Sequence, residues 1–395
     1  MPGFEIDGLT PFQQHPVRPA AVPDYLFATQ LHYPAFVLPE QVLTAHSLNL
    51  IGGSQAAIRT ELLNRTSQLC LESVMSAIVQ AGLEPSSLTK YRVGVSLGTT
   101  VGCTFNDESY YLQWRQGKHP DVAPLERYFA NNLAETVQAS LNLAGPCAVI
   151  TNACASGTDA IGLAKTWIEQ GLCDIAIAGG ADELSRIAYH GFAGLMLLSD
   201  KPCRPFDLKR NGLNLGEGSG ILILERDDFC KRRGALPFGM ILGYGVASDC
   251  YHPTAPHPEG HGLIKALSMA LADSGIAGQE IGYINAHGTG TLANDATEAL
   301  ALSKVNLGGD CPVVSTKGMT GHMLGAAGAV EAIITIKSLQ QGQCRGSFGC
   351  RQLDPDLPCT ILTEDESASL NSRIGISQSL AFGGGNSVLV LEGYS

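Results

Sequence analysis

Apolar runs that end in glycine and lead into helical periodicity occur twice along this chain, in two series of similar size. In the first, YRVGVSLGTT (91–100) and CAVITNA (147–153) read as buried strands, and TDAIGLAKTWIEQG (158–171) reads as a helix. CDIAIAGGADE (173–183) is a third strand with a glycine exit, and GILILERDDFCKRRG (220–234) is a strand running into a charged connector. Ahead of them, ELLNRTSQLCLESVMSAIVQAGL (61–83) has the spacing of an amphipathic helix closed by Gly82. In the second series, LIKALSMALADSG (263–275) is a helix and IGYINAHGTGT (281–291) a strand entering a glycine turn. AAGAVEAIITIKSLQQG (326–342) is a helix and SVLVLEG (387–393) a closing strand. Strands alternating with helices predict an α/β architecture. The repetition predicts two related halves, 1–236 and 237–395. Residues 1–50, rich in Pro, His and Gln, show only weak periodicity.

The chain has 395 residues, enough for one large domain or two fused ones, with 45% apolar and 16% charged content. Its net charge of −12 argues against nucleic acid, which needs clustered positive charge. No apolar run approaches the roughly 18 residues of a membrane span. MPGFEIDGLTPFQQHPVRP lacks the basic and apolar regions of a secretory signal. The 12 cysteines are scattered and contain no CxxC pair, so neither a zinc ribbon nor a thioredoxin-type site is expected. Together these features predict a cytoplasmic protein with reduced thiols.

In α/β sheets, sites gather at the C-terminal ends of strands. Cys154, His287 and the glycine turn at 383–385 would lie at such ends, and four stretches carry reactive groups. TNACASGTDA sets Cys154 between a strand and a helix, where a helix N-terminus favours a thiolate nucleophile; a packed, inert cysteine is the plain alternative. NAHGTGTLANDATEA places His287 before Thr289 and Thr291, a proton shuttle or oxyanion donor against a structural histidine in a glycine turn. STKGMTGHMLGAAGAVE gathers Lys317, His322 and Glu331; a buried Lys and Glu would need one another. SLAFGGGNS puts the Phe382 N–H beside Gly383 and Gly384, an oxyanion donor on a pliable loop or a simple hairpin turn. Two other stretches carry less. GLNLGEGSGILILE (212–225) is followed by a strand, whereas a dinucleotide fingerprint opens a helix. The histidines of YHPTAPHPEGH (251–261) match no regular metal spacing, so no metal is expected.

The four stretches in this order resemble the β-ketoacyl–acyl-carrier-protein synthases of the decarboxylating type, with one cysteine and two histidines. IAGGADE (177–183), PFDLKRNGLNLGEGSGILILE (205–225) and SDCYHPT (248–254) add to the likeness, which covers about residues 60–395. The resemblance implies a thiolase-like fold, two α/β halves in five layers. It also implies a dimer, either of two copies or with a synthase-like subunit. Cys154 would take an acyl group from the 4'-phosphopantetheine of an acyl carrier protein, with no cofactor bound by the enzyme itself. His287 and His322 would support malonyl decarboxylation, and the N–H groups of Cys154 and Phe382 would hold the oxyanion. Lys317 and Glu331 would orient the histidine region, and Thr289 and Thr291 would contact pantetheine. His252 and Asp295 also fall on family positions, and Val101 falls near the acyl-pocket floor. Lys201, Arg204, Lys209 and Arg210 form the best basic patch for an acidic carrier protein.

The likeness fails at the front. The family opens with a strand running into a Thr-Gly turn, and residues 1–50 offer no such segment. The departure favours a specialised fatty-acid or polyketide-like pathway over housekeeping elongation. A thiolase would need a second cysteine in the C-terminal glycine loop, which AFGGGN lacks. A chain-length-factor-like or heterodimeric subunit is the alternative, although such subunits usually lack the cysteine that stands here at position 154.

Overall fold

The structure is a computed structural model and describes residues 18–24, 26–52, 63–102, 108–130, 132–308 and 311–394. Residues 1–17, and Glu61 and Leu62 of the first expected helix, lie outside the described residues. After helix α1 (Ala45–Gly52), α2 (Arg65–Gln80) begins where the Asn64 side chain accepts the Ser67 N–H. Its Leu69, Leu71, Val74, Met75 and Ile78 are buried, each fully buried apolar side chain contributing about 1.5–3 kcal/mol. Strand β1 (Val93–Gly98) leads to helices α3 (Glu108–Arg115), α4 (Ala123–Ala130) and α5 (Leu133–Ser140), then β2 (Cys147–Ile150). A 3-10 turn, Ala153–Ala155, opens α6 (Ser156–Glu169), followed by β3 (Ile175–Asp182), α7 (Arg186–Gly194), β4 (Gly218–Glu225) and α8 (Asp227–Arg232). The first sheet has the order β2-β1-β3-β4, with β4 antiparallel to β3.

The second sheet takes all its strands from beyond residue 238. β5 (Gly239–Ser248) precedes α9 (His261–Ser274), β6 (Ile284–Asn285), α10 (Leu292–Lys304), β7 (Val313–Val314) and α11 (Lys317–Thr320). Another 3-10 turn, Leu324–Ala326, opens α12 (Ala327–Gln341). A small β8 (Gln343–Arg345) and β9 (Ser367–Ser369) ribbon comes before the β10 (Ile374–Leu380) and β11 (Gly385–Gly393) hairpin. The sheet order is β5-β11-β10-β6-β7. In order and direction β2, β1, β3 and β4 correspond to β7, β6, β10 and β11. Among the described residues nothing in the first sheet matches β5.

Helices α6 and α12 lie between the two sheets, α2 and α5 cover the outside of the first, and α9 and α10 cover the second. These are the five layers that the resemblance leads one to expect. The two central helices start back to back. A Cβ on Gly157 would stand 2.6 Å from the Gly325 carbonyl oxygen, so a side chain there would separate them. Strands β5 and β10 and helix α10 were not evident in the sequence, and β6 is shorter than the run that announces it. The early segment is irregular: Ala20 bridges Ala35, and Phe27 and Tyr33 pack on Tyr189 of α7. Arg65 ties it down, donating to both Glu217 carboxylate oxygens and to the carbonyls of Leu38, Pro39 and Glu40.

Candidate active site

Cys154 sits in the 3-10 turn at the N-terminus of α6, between a strand and a helix as the sequence indicates. Ala153, just before it, has φ 42°, a left-handed conformation rare for a residue with a side chain and a local strain on the bend. Cys154 is 3% exposed and lies among Leu184, Tyr189, Leu198, Leu213 and Leu324, with Val101 and Phe192 partly buried against the same cluster. The Phe382 N–H bonds to it from the β10–β11 turn. That turn is also the plain hairpin the sequence allowed: Gly383 and Gly384 have φ 86° and 82°, values that favour glycine.

The helix N-terminus that the sequence offers as a thiolate-stabilising end is opposed here by burial. Burial pushes the Cys154 thiol up to about 12, outweighing the Lys317 charge and the Phe382 N–H that pull it down. Burial thus favours the thiol form of Cys154.

The two histidines meet. The His287 and His322 ring centroids are 5.1 Å apart and nearly perpendicular. His322 faces Phe192 edge-on, and Phe192 stacks on Phe382 at 5.2 Å, so the histidines and the glycine turn share one wall. The buried Lys317 ammonium bonds Glu331, lies 2.6 Å from the His287 carbonyl oxygen and 3.2 Å from His287 Nδ1. An ammonium has no acceptor, so it donates to Nδ1 and leaves the His287 proton on Nε2. Burial raises the Glu331 carboxyl, and the bonded Lys317 pulls it back. Burial first, then Lys317, holds both imidazoles well below their ordinary value, with His322 adding to the effect on His287. Both rings are neutral hydrogen-bond donors. His322 Nδ1 has no partner among the described residues, which leaves hydrogen-bonding capacity in reserve. Thr289 and Thr291 join their hydroxyls at 2.9 Å in the turn after His287.

Two buried carboxylates that hold this arrangement escaped the sequence reading. Glu298 accepts the N–H groups of His287 and Gly288 and the Gln378 amide. Burial pushes its carboxyl up to about 7. With Asp295, which accepts the Phe206 and Gly290 N–H groups, it forms an i,i+3 acidic pair on one face of α10. That spacing after a glycine turn was the available signal. Asp182 accepts from Thr99 Oγ1 at 2.6 Å, from the N–H groups of Thr100, Val101 and Gly102, and from Gly325 N at 2.7 Å. It thus links the Val101 turn to the 3-10 turn two residues beyond His322.

Family models for the beta-ketoacyl synthase N-terminal domain and C-terminal domain match residues 54–229 and 238–350. The chain belongs to the beta-ketoacyl synthases. It is 35% identical over 329 residues to a 3-oxoacyl-[acyl-carrier-protein] synthase 2 of Synechocystis, covering 80% of this chain and 79% of that one. The solved ishigamide ketosynthase/chain length factor superposes with a TM-score of 0.85 at 31% identity, covering 96% of this chain and 92% of that one. A type II polyketide acyl-carrier protein in complex with its hexaketide-bound ketosynthase, AntDE:AntF, gives 0.79 at 29% identity, with 85% and 87% covered. The fold of this synthase is thiolase-like.

Not every residue singled out from the sequence reaches the site of this beta-ketoacyl synthase. Arg210 is buried, 2.6 Å from Asp354 and 3.7 Å from Asp295, so it braces the fold and cannot belong to a surface patch. Lys201 and Lys209 are exposed and Arg204 is half-buried. His252 is exposed, and its Nδ1 accepts the Thr254 and Ala255 N–H groups within its own loop. The loop itself does touch the glycine turn, since Gly383 N–H donates to the Pro253 carbonyl.

Neutral histidines make a pH prediction. With Cys154 already acylated, the rate of malonyl-carrier decarboxylation should change less than about two-fold between about pH 8 and pH 6. Acidification protonates an imidazole only below its own pKa, and both lie well below 6.5. Carbon dioxide release at each pH is the measurement; a fall centred near the ordinary histidine value would show that the rings carry charge.

Proposed function

We propose that this synthase condenses an acyl group held on Cys154 with a malonyl group on an acyl carrier protein, releasing carbon dioxide and 3-ketoacyl-carrier product. A specialised fatty-acid or polyketide-like pathway fits the altered front end. One observation carries the reading: the Cys154 sulfur, with the Phe382 N–H upon it, shares a wall with two neutral histidines 5.1 Å apart. Acyl transfer forms a bond from Cys154 Sγ to the acyl carbon and breaks the carrier thioester. The cysteine proton ends on the departing pantetheine thiol. Malonyl then loses carbon dioxide, and its enolate oxygen accepts hydrogen bonds from His287 and His322. The new carbanion attacks the acyl carbon, whose oxyanion is held by the N–H groups of Cys154 and Phe382. Cys154 leaves as a thiolate and takes up one proton from solvent, the proton that the overall condensation consumes. Lys317 and Glu331 position His287, Thr289 and Thr291 hold the pantetheine arm, and Gly383 and Gly384 let the turn move as substrates pass.

Incubation with acyl- and malonyl-carrier proteins, read by intact mass and product analysis, tests this. Condensation product establishes the synthase. Acylation without condensation indicates a missing partner, and no acylation at any chain length removes the reading. Val101, packed in the Cys154 cluster, sets the acyl-pocket floor. Val101→Phe is expected to shorten the longest chain accepted, measured by profiling acyl chains; an unchanged profile counts against the assignment.

The carrier protein docks on Lys201, Arg204 and Lys209. The double variant Lys201→Glu/Arg204→Glu should raise KM for the carrier by about ten-fold or more, with kcat little changed and the salt dependence flattened. Arg210→Ala should instead lower Tm, because it strands Asp354 and Asp295.

A second reading has its own support. Tyr111, Leu112 and Trp114 of α3 and Phe129 of α4 are exposed, and β2 is a half-exposed edge strand, as a subunit interface requires. The chain acts either as a homodimer or as the cysteine-bearing half of a heterodimer with little activity of its own. Neighbouring ketosynthases are solved with a chain length factor.

A further inference from the structure

The glycine turn that carries Phe382 is held at its neck by the helix that carries the nucleophile. Ser379 of β10 and Ser387 of β11 stand directly opposite one another just below that turn. Thr158 and Asp159, in the first turn of α6, take one arm each. Thr158 Oγ1 lies 2.9 Å from Ser379 Oγ, and Ser387 Oγ donates to Asp159 Oδ1. Tyr244 of β5 donates its hydroxyl to the same carboxylate oxygen at 2.8 Å. Its ring lies tight against α6, for a Cβ on Gly162 would stand 2.5 Å from it. Burial, and then the Asp159 charge, push the Tyr244 phenol up, so it stays a donor. The other Asp159 oxygen accepts the Asn152 amide at 2.6 Å. Asn152 belongs to the Cys154 bend: its N–H donates to Ser156 Oγ at 2.9 Å. Its side-chain oxygen also packs on Gly385, where a Cβ would stand 2.7 Å away. Gly385 accepts the Ala381 N–H at 2.7 Å and closes the glycine turn.

We infer that Asp159 is a positioning residue that fixes the gap between the Cys154 and Phe382 N–H groups, and so the size of the oxyanion hole; this rests on the condensing role proposed above. A negative side chain in the first turn of a helix is favoured by the helix dipole alone. That account needs no partners, whereas the buried Asp159 carboxylate has three, all outside α6. They tie together the two chain segments that supply the two oxyanion donors. Such a hole works only where both donors reach one oxygen, and a misplacement of ~1 Å costs about 10²-fold. None of the three partners belongs to the His287 or His322 turn. The clasp therefore serves acyl transfer to and from Cys154, and malonyl decarboxylation does not depend on it.

The test compares three reactions in the parent, Asp159→Ala, Asp159→Asn and Ser387→Ala, with Tm measured alongside. Acylation of Cys154 from saturating acyl-carrier protein, read by intact mass in a single turnover, passes through an oxyanion. Alkylation of Cys154 by iodoacetamide displaces iodide and forms none. Carbon dioxide release from malonyl-carrier protein, measured in the Cys154→Ala background, reports the histidines. Asp159→Ala should slow acylation about 30-fold or more, with alkylation and carbon dioxide release changed less than about three-fold. Asp159→Asn still offers Ser387 and Tyr244 an acceptor, and the Asn152 amide can turn its oxygen toward the new NH₂ group. It should restore acylation to within about three-fold of the parent. Unchanged acylation in Asp159→Ala, or an equal fall in all three reactions, overturns the inference and leaves the condensing role intact. Should Asp159→Ala fail to fold, Ser387→Ala decides. A selective loss of acylation of about three-fold or more supports the clasp, and no selective loss overturns it. A parent that is never acylated removes the condensing role and the inference with it.

Discussion

Cys154→Ala should leave a folded protein that captures no acyl group and makes no 3-ketoacyl product. The side chain is small, and its neighbours Ala153, Ala155 and Ser156 already tolerate a tight turn, so removing one sulfur costs little stability. Chemistry is another matter. Without Sγ the acyl group has no covalent station, and the two-step route collapses to a direct encounter of two carrier proteins. A loss of about 10⁴-fold or more in condensation is expected. The variant should still release carbon dioxide from malonyl-carrier protein, because His287, His322 and Lys317 are untouched. Intact mass, product yield and carbon dioxide release separate the two activities. Variant and parent acylated alike would place the nucleophile elsewhere.

The second large effect is at Lys317. Its ammonium is wholly buried and serves Glu331, the His287 carbonyl and His287 Nδ1 at once. Lys317→Ala strands the Glu331 carboxylate in the interior, at a cost of about 3–5 kcal/mol. It also removes the donor that keeps the His287 proton on Nε2, so condensation should fall by about 10²–10³-fold. The pair Lys317→Met/Glu331→Leu distinguishes the two consequences. Apolar replacements of similar volume should restore most of the lost Tm but not the rate. Recovery of both would show that Lys317 matters only for folding.

Much of this site was legible because its residues stand at bends. A cysteine between a strand and a helix, a histidine before Gly-Thr-Gly-Thr, and Lys, His and Glu around one glycine turn each mark a place where backbone direction changes and a side chain is offered to a cavity. What stayed hidden was held by long-range satisfaction. Strand β10 carries Ser377, Gln378 and Ser379 in its middle, which breaks the apolar signal of a buried strand. Two of them are held inside by distant partners: Ser379 meets Thr158 at 2.9 Å, and the Gln378 amide donates to Glu298. Arg210 failed in the opposite way. Between Lys209 and Gly212 it reads as surface charge, yet Asp354, far along the chain, takes it inside. The thiol of Cys154 shows the same limit. The helix end is local and visible, while the burial that raises the thiol comes from leucines of other segments.

The buried Lys317–Glu331 pair bears on the substrate as well as on the fold. Its two charges cancel, and both imidazoles are neutral, so these four groups together add close to zero net charge. A malonyl carboxylate that enters gives up water and finds this ammonium already committed to Glu331. An anion stripped of solvent and left without a counter-ion is at its least comfortable. Expelling its charge-bearing end as a neutral gas relieves the strain and hands the electrons to a carbon whose neighbouring oxygen is well supplied with donors. In electrical terms the chamber favours carbon dioxide release by declining to neutralise what comes in.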